Sequence, residues 1–221
     1  MLLSLNGEEK LGIDKKEVIR YLGYGKALPD NEILKLIENI ITETENAASP
    51  VASYEKYPLT FFENGRVDIG PLSVTSNSLF CNLSGCKEAF VFVSTVGHKV
   101  DRLIKEKSIM STVNGAIAQA TGAAAAEAFA DYVNLKLNED LNGCYLRPRF
   151  SPGYGDFDVA YQPQILMLAD KKSKTGIYLT ESLMMIPSKS VSAVVGICRD
   201  KPECEKSGCA DCGSNDCPYR R

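Results

Sequence analysis

The 221-residue sequence lacks a basic surplus: 25 Lys and Arg stand against 28 Asp and Glu, for a net charge of −3. Phosphate backbones are bound by clustered Lys and Arg, so a nucleic-acid surface is excluded. No secretory leader is expected, because the apolar start MLLSL is broken by Asn6 and followed by acidic residues, with no basic region before it. A cytoplasmic location is expected. No long apolar run occurs either. Residues 115–130 come nearest, but Gln119, Thr121 and Glu127 interrupt them and large aliphatic residues are few, so no membrane span is expected. Histidine is nearly absent. The single one, His98, follows the apolar run near the start of a helix without an evident partner and reads as structural, so no catalytic residue is assigned.

What is present is enough for a real core: 44% of residues are hydrophobic, and the length suits one domain with a small appendage. Eight cysteines in a reducing compartment read as thiols or metal ligands, not disulfides. Ile33, Leu36, Ile37, Ile40 and Ile41 recur at helical spacing behind an N-cap at Asp30. Residues 50–70, rich in aromatics, Pro and Gly, read as irregular structure leading into a short strand near 67–69. The run AFVFVSTV at 89–96 predicts a buried strand. Residues 111–137 lack Pro and are dominated by Ala, which predicts a long buried helix with Gly115 and Gly122 where another chain segment approaches, ending near Asn142 and Gly143. Residues 165–168, 177–180 and 191–197 read as three strands. Helices early and strands late predict an α+β fold: a single domain whose twisted, largely antiparallel sheet packs with long helices, followed by a short Cys-rich C-terminal tail. The domain is expected to span 1–197, with a helical N-terminal part at 1–50, and the tail 198–221.

Residues 147–154 read RPRFSPGY. A Pro-Gly pair suits a type II turn in which Gly153 takes positive φ and exposes backbone to a ligand. Arg149 suits a carboxylate, and Tyr154 suits the face of a flat ring. The stretch resembles the Arg-x-x-Pro-Gly-Tyr signature with which the activation domain of cobalamin-dependent methionine synthase holds S-adenosylmethionine. Two further segments are similar to that family in the same order: AEAFADY at 126–132, like the helix bearing its ligand-binding glutamate, and LTESLMMIPSKSVSAVVG at 179–196. The resemblance places Glu127, Arg149, Pro152, Gly153 and Tyr154 on the family's ligand-binding positions. One carboxylate, one guanidinium and an exposed turn are chemically suited to a ligand with an ammonium, a sulfonium, a carboxylate and an adenosine.

The resemblance implies a role in methionine biosynthesis. When cobalamin on a methionine synthase or related corrinoid protein is oxidised to an inactive state, an electron reduces it and S-adenosylmethionine remethylates it, while the activation domain positions the methyl donor. The chain is too short for the other modules of a synthase, so it is expected to be a component of that methyltransferase system that meets its cobalamin-bearing partner in trans, with flavodoxin or ferredoxin as a candidate electron donor. The family's acidic residue near the start of the domain has no counterpart visible here, and residues 155–162, GDFDVAYQ, lack the Cys, His and Lys found there in the family's synthases. In the tail, Cys204, Cys209, Cys212 and Cys217 suit tetrahedral thiolate ligation of an iron–sulfur cluster or zinc, and the spacing does not decide between them or a tail without metal. The alternative function is therefore electron transfer through a Cys-ligated centre in the tail. Cys81 and Cys86 read as a loop pair and Cys144 as a buried thiol.

Overall fold

Two aspartates set the first helix starts. In the structure, a computed structural model that describes residues 1–5, 9–25, 27–139, 141 and 143–199, Asp14 accepts the Lys16 N–H and Asp30 the Ile33 N–H, each at 2.8 Å. They cap α1 (Lys15–Tyr21) and α2 (Asn31–Ala47), which follow the short strand β1 (Leu2–Ser4). The chain then runs through β2 (Val51–Phe61), β3 (Arg66–Ile69), β4 (Leu72–Thr75), α3 (Asn77–Leu83), β5 (Glu88–Thr95), α4 (His98–Met110) and α5 (Thr112–Glu139). It ends with β6 (Tyr145–Leu146), α6 (Gln162–Ala169), β7 (Tyr178–Leu179), β8 (Met185–Ile186) and β9 (Ser190–Cys198).

The main sheet has the order β4-β3-β2-β5-β9-β6, with β1 also on β2, and every pairing among the described strands is antiparallel. This is the α+β architecture expected. Strands β5 and β9 lie at its centre and are buried on both faces, which is why their sequences are near-continuous apolar runs. Phe90, Phe92, Ala193 and Val195 face one core with α1, α2, α4 and α5, while Ala89, Val91, Val93 and Val194 face a second core under α3, α6 and the β3–β4 hairpin. Helix α5 carries buried residues around much of its circumference, which explains its Ala content. A Cβ at Gly115 would lie 2.7 Å from Ser108 Oγ, and one at Gly122 would lie 2.9 Å from Ile104 Cδ1, so both glycines mark the close approach of α4.

Two expectations fail. Residues 165–168 are not a strand but part of α6, which starts with a proline in its first turn. A run as short as ILML has no period that distinguishes a buried strand from a buried helix. Residues 50–70 are not irregular. Strand β2 occupies eleven of them, and Pro58 stands where it changes partner: residues up to Pro58 pair with β5, and Leu59 onward pair with β3. A residue without an N–H is tolerated at such a switch. Of the cysteines, Cys81 lies exposed on α3, Cys86 is buried, and Cys144 is only half-buried.

Candidate functional site

Helix α5 presents Ala124, Glu127, Ala128 and Asp131 in one stripe, at the i, i+3, i+4, i+7 spacing of a helix face. Opposite the stripe lie Leu11, Gly12, Asp14 and Glu17, and together they wall a cleft of about 570 Å³. That volume lies within the range of small-molecule sites. A second groove of about 310 Å³, between the end of α1, α2 and the start of α5, is lined by Leu22, Gly23, Tyr24, Ile33, Val113, Ala116 and Ile117 and offers no charged group to orient a ligand.

Arg149 borders the first cleft. Phe150 makes an antiparallel bridge to Val194, with both backbone hydrogen bonds formed, and this pins the segment to the edge of β9. From there the Arg149 side chain, 15% exposed, reaches two acids one turn apart on α5. Its Nη2 donates to Glu127 Oε2 at 2.9 Å. Its Nη1 pairs with Asp131 Oδ1 at 2.8 Å, so the guanidinium bridges the two acids. Asp131 is 64% exposed, so a ligand carboxylate would compete with it for this nitrogen.

The turn follows. Tyr154 N–H donates to Ser151 O at 3.0 Å around Pro152 and Gly153, and Gly153 has φ 95°, as a type II turn requires. The Gly153 N–H is not exposed to a ligand, however, because it donates to Phe157 O at 2.7 Å. Tyr154 is 55% exposed and packs edge-on against Phe150, leaving much of its ring uncovered. The structure thus brings Glu127 and Arg149 into contact, and attaches the Pro152-Gly153-Tyr154 turn directly after Arg149 but outside the walls of the cleft.

Sequence reasoning missed the opposite wall. Asp14 and Glu17 show a readable signal, an Asp followed three residues later by Glu, the pattern of a helix start. That signal predicts α1 and says nothing of the cleft. Glu17 is tied to Arg20, whose Nη2 lies 2.6 Å from Glu17 Oε2 and whose pKa is raised chiefly by that hydrogen bond. The walls therefore carry four carboxylates, from Asp14, Glu17, Glu127 and Asp131. Such a cleft favours a ligand bearing positive charge, with Arg149 to meet one negative group.

Among the described residues, no group of three or more His, Cys, Asp or Glu side chains could hold a metal ion. Cys204, Cys209, Cys212 and Cys217 lie outside the described residues. No described helix is long and apolar enough to cross a membrane.

A family model described as vitamin B12 dependent methionine synthase, activation domain, matches residues 82–217, more than half of the chain. No curated protein matches. Among solved structures, 13 chains match. One, a crystal structure of the MetH reactivation domain bound to AdoHcy, covers 91% of this chain and 79% of its own, with a TM-score of 0.60 and 16% sequence identity. At that identity the likeness is one of fold.

Proposed function

Because the chain belongs to the family of vitamin B12-dependent methionine synthase activation domains, we propose that it binds S-adenosylmethionine and supports reductive methylation of cobalamin. The cobalamin is carried by a methionine synthase or related corrinoid protein, on which this chain acts in trans. The observation that carries the reading is the Arg149 guanidinium at the edge of an acidic cleft, bonded to Glu127 through one terminal nitrogen and paired through the other with the exposed Asp131. The solved reactivation domain of like fold was crystallised with AdoHcy, which supports a ligand of this chemical class.

The residues fit such a ligand. The carboxylates of Glu127 and its neighbours suit an ammonium and a sulfonium, Arg149 suits the carboxylate, and the exposed ring of Tyr154 suits the adenine face. Pro152 and Gly153 shape the turn that carries Tyr154. When bound, S-adenosylmethionine supplies an activated methyl group. The chain's own contribution is to hold the donor in place, with no side chain moving a proton. Residues 1–197 form the proposed activation-type domain, with 198–221 as its Cys-rich tail. Electrons would come from flavodoxin, ferredoxin or a centre in that tail.

Calorimetric titration of S-adenosylmethionine into the full chain tests the reading, beside Glu127→Ala and Arg149→Ala variants. Binding by the wild type that each substitution weakens at least tenfold is expected. Equal binding by all three would move the ligand elsewhere, and no binding by the wild type would remove this chain's claim to the methyl donor.

A further inference from the structure

A turn that exposes an aromatic ring and a glycine at positive φ is mobile unless something holds it. In this chain the holder is α3, which lies along the ligand segment and ties it at both ends. Beyond the turn, the Asp156 carboxylate accepts three hydrogen bonds at the start of α3: from Ser76 Oγ at 2.5 Å, Asn77 N–H at 2.8 Å and Ser78 N–H at 2.9 Å. Before the turn, Arg147 Nη2 donates to Ser84 O at 2.9 Å and Asn82 Nδ2 donates to Pro148 O at 3.3 Å. The fit is close. A Cβ at Gly155 would stand 2.5 Å from Ser78 Oγ, so only glycine lets the chain lie flat against α3.

The turn is also locked within itself. Phe157 is fully buried and stacks on Phe150, its N–H donates to Tyr154 O, and its carbonyl accepts the Gly153 N–H. Asp156 sits between this buried ring and the exposed Tyr154 and is itself exposed to solvent. Charge-assisted bonds to three donors are the restraint available there. They also hold the Asp156 carboxyl well below the usual carboxylate range, the Ser76 hydroxyl contributing most.

We propose that Asp156 is a positioning residue of the ligand site, acting through the 151–154 turn and using α3 as a splint that fixes Tyr154 relative to Arg149. The proposal rests on the reading of this segment as the S-adenosylmethionine contact. Its role differs from that of Glu127 and Arg149 because it touches no ligand. Its removal loosens the turn, so the defect should be mainly one of geometry.

The experiment is a double-substitution cycle by calorimetry on the full chain, titrating S-adenosylmethionine into wild type, Asp156→Ala, Tyr154→Ala and the pair together, with hydrogen exchange across 151–157. Asp156→Ala should weaken binding about tenfold and speed exchange in that stretch, and Tyr154→Ala should cost little further once Asp156 is gone. Unchanged affinity in Asp156→Ala, or fully additive losses in the pair, would overturn the proposal while leaving the ligand reading intact. Should Asp156→Ala fail to fold, Asp156→Asn keeps the size but cannot accept from all three donors, and full wild-type affinity in that variant would likewise overturn it. A wild type that binds no S-adenosylmethionine would sink the ligand reading, and this proposal with it.

Discussion

Asp131 pairs with the Arg149 nitrogen that the proposed function gives to a ligand carboxylate, so on that reading Asp131→Asn should tighten binding. The ion contact at 2.8 Å involves one partner that is 64% exposed, and exposed pairs contribute about 0.2–1 kcal/mol. Removing that competition should raise affinity by roughly 1.4- to 5-fold, since each 1.4 kcal/mol is tenfold. A second effect opposes it. S-adenosylmethionine carries a net positive charge, and losing one carboxylate at ~8 Å across water costs about 0.2 kcal/mol of attraction after screening at physiological salt. The two terms cancel at the low end of that range and leave a gain of about 0.8 kcal/mol, roughly fourfold, at the high end. S-adenosylhomocysteine is neutral and feels no such loss, so its gain should exceed that of S-adenosylmethionine. Calorimetry of both ligands on wild type and Asp131→Asn reads the two ratios. Weaker binding of both would refute the reasoning, because it would make Asp131 a direct partner of the ligand's ammonium instead of its rival for Arg149.

Phe157→Ala, at a ring that is 1% exposed and stacked in the second core, should cost about 3–5 kcal/mol in a denaturant titration, and a loss below about 1 kcal/mol would show the site collapses without a cavity. Gln162 and Ser192 exchange hydrogen bonds in both directions in the buried contact of α6 with β9, and Gln162→Leu, which leaves the Ser192 hydroxyl without its partner, should destabilise by about 1–3 kcal/mol in a denaturant titration. Burial pushes the Asp170 carboxyl up, but the Thr175 hydroxyl and the Thr175 and Lys174 amides outweigh it and the net shift is down, as it is for Asp156. A depressed folded-state pKa gives stability that is present above the ordinary carboxylate range and is lost as pH falls through the folded value. Melting temperature should therefore drop below about pH 4. Asp170→Asn should flatten that slope, and an unchanged slope would remove Asp170 from the account. Metal analysis of anaerobically purified protein, with and without residues 199–221, should find iron or zinc only in the longer form, and metal-free full-length protein would leave the tail cysteines as thiols.

The parts of the fold that were legible are those whose sequence period matches their burial. Strands β5 and β9 read as strands because both faces are covered, and α5 read as a buried helix because its Pro-free, Ala-rich run is buried around much of its circumference, with Gly115 and Gly122 where α4 comes close. The failures have separate causes. Pro58 looks like a breaker until β3 takes over the ladder from β5, and ILML is too short for its period to tell a strand from a helix.

The site divides along the same line. The turn at 151–154 was legible as a turn because a Pro-Gly pair favours one, and Gly153 takes the positive φ expected, whereas a ligand role for the segment came from the family resemblance and not from its residues alone. The opposite wall was not legible, because Asp14 and Glu17 lie more than 100 residues from Glu127 and their local role, starting α1, accounts for them completely. A residue with a sufficient local reason gives no sign of a distant one. Asp156 is the reverse case, since it has no local reason: it follows a glycine in an exposed loop, starts no helix, and finds its three donors about 80 residues away. An acid with nothing to do in its own neighbourhood, next to a turn with ligand chemistry, is the sequence signal that points to a positioning role.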